Sequence, residues 1–257
     1  MTVRGVLLDL EGVLYQGDAP IPGAVEAVRR LGDAGLGLRF LTNTTTRPRS
    51  HIVARMRAIG FAVDPADVFS PAMAAGRSLR RAGVHRIHLA APESLAADFT
   101  GFELVDERVD AVVLGDLHTE FTWLRLNRLF GMLLAGARLV ALHKNRFCRR
   151  EEGLGLDLGP FVAALEYAAG TTAAVMGKPS PAFFAMALES LGLAADETVM
   201  VGDDIEADIG GARAAGIYAV QVETGKYSPR DRAHPSIAPD ARIRSIRELP
   251  ELIRQLT

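Results

Sequence analysis

The chain has 257 residues, 49% of them hydrophobic and 23% charged, with a formal net charge of −2. This is the profile of a globular protein with enough core for one large domain or two unequal ones. The interspersed charge excludes a broad basic surface for nucleic acid, so an anionic substrate must be held by a local site. No apolar stretch approaches the roughly 18 residues of a membrane span, and Val6–Leu10 is too short for a signal-peptide core. The single cysteine, Cys148, excludes an intrachain disulfide and suits a cytoplasmic protein. A buried, inert thiol is expected there.

In chain order, Gly5–Leu10 reads as a buried strand and Ala24–Leu31 as a helix stopped by Gly35. Gly37–Leu41 is the next strand, and Pro48–Ile59 a helix ending at Gly60. Pro71 suits the first turn of a helix running to Ala82. The middle has its own series, with strands at Arg86–Ala90, Ala111–Leu114 and Arg138–Leu142 and helices at Thr122–Leu134 and Pro160–Ala168. The last third gives a helix at Pro181–Leu191, a strand at Thr198–Val201, a small-residue helix at Ile205–Ala215 and a strand at Tyr218–Val222. This alternation predicts an α/β fold, a Rossmann-like doubly wound parallel-sheet core. The middle series predicts an inserted α/β cap over residues 79–173, leaving residues 1–78 and 174–257 as the core.

Each core strand ends in a polar group. Asp9 and Glu11 follow the first, Thr42-Asn43 follow Gly37–Leu41, Lys178 follows Ala174–Met176, and Asp203-Asp204 with Asp208 follow Thr198–Val201. In an open parallel sheet these ends converge at the carboxyl edge, where ligands bind. Singly, each is commonly a turn, a cap or a solvated loop; four in this order point to chemistry. Asp9 offers a carboxylate nucleophile. Thr42 and Asn43 offer donors for phosphate oxygens, and Lys178 a point positive charge. Asp9 and Asp203 offer hard oxygen ligands suited to Mg²⁺.

The motifs at Asp9, Thr42, Lys178, Asp203 and Asp208 resemble those of the haloacid dehalogenase-like superfamily. The tracts Leu41-Thr42-Asn43, Gly177–Pro181 and Gly202–Asp208 resemble its subfamily IIA, which carries an α/β cap between the second and third motifs. The tracts Leu154–Tyr167 and Gln221–Tyr227 carry a finer likeness within it. The resemblance implies that Asp9 is nucleophile and Mg²⁺ ligand. It also implies that Glu11 gives its main-chain carbonyl to the metal, that Thr42 and Asn43 bind the phosphoryl group, and that Lys178 braces it. Asp203 would ligate Mg²⁺ directly and Asp208 through water; it assigns Asp204 no role. Dimerisation through the cap is a further implication.

Glu11 is the departure, since most of the superfamily has an aspartate there as general acid/base. Either its carboxylate reaches the leaving group, a contribution of about 10²–10⁴-fold, or it points away and only its carbonyl serves the site. The expected substrate is a small phosphorylated molecule: a metabolite phosphate, or a phosphoramidate or pyrophosphate. The alternative is a catalytically weak binding or scaffold protein, suggested only by Glu11. In the cap, His118, Trp123, His143, Lys144, Asn145 and Arg146 are candidates for substrate contact. Against that stand a Trp123 packed in the cap core and a solvated loop over residues 144–146. Gly153-Leu154-Gly155 lacks the ending of a P-loop.

Overall fold

The computed structural model describes residues 2–150 and 153–256. Their strands are β1 (Gly5–Asp9), β2 (Tyr15–Gln16), β3 (Ala19–Pro20), β4 (Gly37–Leu41), β5 (Val68–Phe69), β6 (Arg86–Ala90), β7 (Glu103–Leu104), β8 (Ala111–Leu114), β9 (Arg138–Ala141), β10 (Phe147–Arg150), β11 (Gly153–Leu156), β12 (Ala174–Val175), β13 (Thr198–Gly202), β14 (Tyr218–Val222) and β15 (Ala241–Ile243). The α-helices are α1 (Ala24–Asp33), α2 (Arg49–Ala58), α3 (Pro71–Arg81), α4 (Trp123–Leu134), α5 (Leu158–Ala169), α6 (Pro181–Leu191), α7 (Gly211–Ala214) and α8 (Leu249–Leu256). They fall into two compact units. One comprises Met1–Thr42, Ser50–Phe69 and Lys178–Thr257, the other Asn43–Arg49 and Ser70–Gly177.

The first unit is built on a parallel sheet in the order β15-β14-β13-β1-β4-β5. All five residues of β1 are buried, as a near-continuous apolar strand covered on both faces must be. β1 pairs with β4 on one side (Gly5↔Gly37 to Asp9↔Leu41) and with β13 on the other (Gly5↔Thr198 to Leu8↔Val201). Val6, Leu8, Val199 and Val201 pack with Leu31 of α1, Met56 of α2 and Ile253 of α8 in one core. Each such side chain contributes about 1.5–3 kcal/mol by leaving water. The chain leaves β1 toward β4 and returns on its other side at β13, so the crevice between β1 and β13 is a topological switch point.

The second unit has its own parallel sheet, β12-β9-β8-β6-β7, together with the antiparallel hairpin β10–β11. The rings of Phe121 and Phe161 stack at 3.8 Å. Three expectations are corrected here. The segment read as one helix over Ile205–Ala215 is a wide π turn over Ile205–Gly210 followed by the short α7. A main-chain tie causes this, because Asp208 and Ile209 both donate to the Asp204 carbonyl. Trp123 is not packed in a core but stands 76% exposed at the start of α4. Cys148 is half-buried, since it lies on the two-stranded hairpin.

Candidate active site

β1 delivers Asp9 to its carboxyl end as a buried carboxylate. Lys178, 3% exposed, brings its Nζ to 2.5 Å from Asp9 Oδ1 and 2.6 Å from Asp208 Oδ1. Asp208 comes within reach because the π turn folds it back beneath the end of β13. Gly202 makes room for this: a Cβ there would stand 2.2 Å from the Asp208 Cβ. The second oxygen of Asp208, Oδ2, accepts from the N–H groups of Asp203 and Asp204 at 3.2 and 3.1 Å. One carboxylate thus braces the loop that presents Asp203 and also holds the lysine.

Asp203 is enclosed from two directions. Its Oδ2 accepts from the Lys226 N–H at 2.7 Å. Gly12 (φ +85°) and Gly225 (φ +64°) approach so closely that a Cβ on either would stand 2.0 Å from that oxygen. The Thr224 hydroxyl donates to the Gly12 carbonyl at 2.5 Å and ties the two loops. Asp204, without an expected role, caps the π turn by accepting from the N–H groups of Glu206 and Ala207. It also ion-pairs with Lys226 Nζ at 3.1 Å.

The electrostatics follow from burial. Burial works against the Lys178 ammonium, but Asp208 and Asp9 outweigh it and hold its pKa above the ordinary lysine value. Asp203 is pushed up to about 8, first by burial and then by the charges of Asp9 and Asp208. Asp208 rises to about 6, because burial, with Asp9 and Asp204, exceeds what Lys178 returns. Asp9, Asp203 and Asp208 offer ligand atoms within 4.8 Å of one another. Three carboxylates against one buried ammonium leave an anionic excess that fits a divalent cation of hard oxygen preference.

The remaining predicted residues are distributed as follows. Thr42 is buried at the end of β4, where its N–H donates to the Phe69 carbonyl at 3.0 Å. Asn43 belongs to the second unit, where its Oδ1 would stand 2.7 Å from a Cβ on Gly177. The Glu11 carboxylate is not in the Asp9–Asp203–Asp208 group. It is exposed and accepts from the Gly17 N–H at 2.9 Å. His118 follows β8 and is exposed. His143 follows β9, buried, with Nε2 3.6 Å from Asp157 Oδ1. Lys144 pairs with Glu166 at 2.6 Å, and exposed Arg146 lies 5.7 Å from the Phe147 ring. Sequence reasoning missed Gly12, Gly225 and Lys226 as parts of the site. A signal existed, since residues 223–227 follow a predicted parallel strand and so emerge at the same sheet edge.

The sequence profile of the family Haloacid dehalogenase-like hydrolase matches residues 6–104, and that of HAD-hydrolase-like proteins residues 175–249. The chain is 40% identical to the phospholysine phosphohistidine inorganic pyrophosphate phosphatase of Xenopus laevis, over 98% of this chain and 94% of the relative. The chain belongs to the haloacid dehalogenase-like hydrolases. It is also 42% identical to the human haloacid dehalogenase-like hydrolase domain-containing protein 2, over 89% of this chain and 87% of the relative. The 4-nitrophenylphosphatase of Thermotoga maritima superposes with a TM-score of 0.90 at 28% identity, covering 98% of this chain and 97% of that one. The α/β fold and the place in subfamily IIA are therefore borne out, as is the chain's likeness to phospholysine phosphohistidine inorganic pyrophosphate phosphatases. As a haloacid dehalogenase-like phosphatase the chain is an enzyme.

Proposed function

We propose that this chain is a Mg²⁺-dependent phosphatase that passes a phosphoryl group to Asp9 and then to water. The observation that carries this reading is the buried Lys178, bound by Asp9 and Asp208 beside Asp203. Asp9 and Asp203 would hold the ion with the Glu11 main-chain carbonyl. Asp208 would act through water, because one of its oxygens faces Lys178 and the other two N–H groups. When bound, the ion offsets the repulsion between an anionic nucleophile and an anionic substrate.

Asp9 attacks phosphorus, and the bond from phosphorus to the leaving oxygen or nitrogen breaks with its electron pair leaving on that atom. Water then attacks the aspartyl-phosphate, which releases inorganic phosphate and restores the Asp9 carboxylate. Lys178 orients Asp9 and neutralises charge on the phosphoryl oxygens. The Thr42 hydroxyl and the Asn43 amide are assigned the remaining phosphoryl contacts.

The substrate is a small phosphate monoester, phosphoramidate or pyrophosphate. The names of the relatives favour the last two. So does the engagement of the Glu11 carboxylate with Gly17, which suits leaving groups that need no proton from the enzyme. Residues 79–173 are assigned the role of a specificity cap, with exposed Phe147 and Leu156 as its homodimer contact. Nucleic acid and membranes are not partners in this reading, and the site of action is the cytoplasm.

The purified protein should hydrolyse 4-nitrophenyl phosphate with Mg²⁺ and not in EDTA. Asp9→Asn should lower kcat by about 10³-fold or more. Substantial activity in that variant removes Asp9 as nucleophile. A panel of phosphohistidine, phospholysine, pyrophosphate and sugar phosphates then ranks the substrates by kcat/KM.

A further inference from the structure

Immediately after the Asp9 strand the chain makes a tight hairpin, in which Tyr15 pairs with Pro20 and Gln16 with Ala19 across the turn Gly17-Asp18. Two-residue strands have little stability of their own, so something else must hold this turn. Two side chains do. From one side Glu11 Oε1 accepts the Gly17 N–H at 2.9 Å. From the other, Arg55 of α2 donates through Nη2 to the Gly17 carbonyl and lies 3.4 Å from Asp18 Oδ1. Its guanidinium also sits 4.8 Å from the centre of the buried Tyr15 ring. Both main-chain polar groups of Gly17 are therefore held by charged side chains, and hydrogen bonds of that kind are the stronger class. Arg55 holds the turn even though its own buried Nε has no hydrogen-bond partner among the described residues.

We infer that Glu11 and Arg55 are positioning residues that clamp the Gly17-Asp18 turn, and that the Glu11 carboxylate serves this clamp rather than proton transfer to the leaving group. The inference deepens the phosphatase reading and rests on it only for its effect on turnover. The length of Glu11 is then explained. An aspartate is shorter by one carbon–carbon bond, about 1.5 Å, more than a hydrogen bond of ordinary length absorbs. A hairpin joined to the Asp9 strand by only a few residues transmits its looseness to the nucleophile, and errors of about 1 Å in position cost up to about 10²-fold in rate.

The test uses three Glu11 variants, Arg55→Met and the double variant Glu11→Ala/Arg55→Met, all of the full chain in Mg²⁺ buffer, with activity on aryl and alkyl phosphates and amide hydrogen exchange at Gly17 as separate readouts. Glu11→Gln keeps the acceptor oxygen and loses the acid. It should keep Gly17 protected and change kcat/KM on aryl and alkyl phosphates by the same factor, without the selective alkyl loss of an acid/base group. Glu11→Asp and Glu11→Ala should speed Gly17 exchange by about threefold to tenfold and lower kcat/KM on both substrates alike, by about tenfold. Arg55→Met should speed the same exchange, and its effect should not add fully to that of Glu11→Ala, because both act on one turn.

The inference is overturned if Glu11→Asp keeps activity while Glu11→Gln loses about 10²-fold or more on alkyl phosphates, the signature of an acid/base group. Unchanged Gly17 exchange in both Glu11→Asp and Glu11→Ala also overturns it. Asp9→Asn, run in parallel, should keep Gly17 protected while losing turnover. If it keeps turnover, the nucleophile assignment fails and the exchange result still judges the clamp.

Discussion

The two units carry the same kind of sheet, and two pairs of carboxylates, one in each, are treated in opposite ways. In the first, Asp203 and Asp208 are buried at the end of β13 and pushed up to about 8 and about 6. In the second, Asp106 is held below its ordinary value by the Arg128 guanidinium, and Asp110 by the N–H groups of Arg86 and His85. Both of these lie in water. A parallel sheet supplies a converging edge wherever it forms. Chemistry is marked by the edge where charge is buried against charge with too few partners. Among its described residues the second unit buries Asp157, but that carboxylate accepts from the Leu158 N–H at 2.8 Å and caps α5.

Removing the central cation should test that contrast most severely. Lys178→Met leaves Asp9 and Asp208 buried without it and should lower stability in EDTA by about 3–5 kcal/mol in urea unfolding. A smaller loss than that of an ordinary core substitution breaks the comparison.

A middling effect is expected from pH. Folded Asp203 and Asp208 bind protons more tightly than their unfolded forms at 3.8. Their stabilisation is complete below about pH 4 and is lost as pH rises through about 6 and then about 8. The melting temperature in EDTA should therefore fall between pH 5 and 8, and added Mg²⁺ should restore most of it. Asp106 and Asp110 act in the opposite sense, their contribution being present above pH 4 and lost only in acid. A melting temperature that rises from pH 5 to 8 in EDTA contradicts the burial argument. Smallest is Asp157→Ala, a lost cap of about 1 kcal/mol, read by thermal unfolding. A loss as large as that of Lys178→Met makes the second unit's carboxylate more than a cap.

Much of this was legible in the sequence because a buried parallel strand announces itself as an apolar run, and Asp9, Thr42 and Asp203 stand where such runs stop. Lys178 was legible for the same reason, although β12 is only two residues long. What escaped depends on contacts between distant segments. β2 and β3 are two residues each, too short for periodicity, and β10 reads as a charge run until Gly153–Leu156 pairs with it. Helical spacing does not separate an α turn from a π turn, so the backward fold of Asp208 was invisible. The engagement of Glu11 needed Gly17 in three dimensions.

The closure of the site over Asp203 has a consequence for how the protein is made. Lys178 meets Asp9 across 169 residues, and Thr224 meets Gly12 across 212. During synthesis at about 5–20 residues per second, Asp9 emerges 169 residues ahead of Lys178, and the enclosure of Asp203 waits until residue 226 is out. No nascent chain shorter than that holds the enclosed Asp203. Contacts of such span also make folding slow. Activity should therefore appear late and all at once, in step with the arrival of the segment that follows β14.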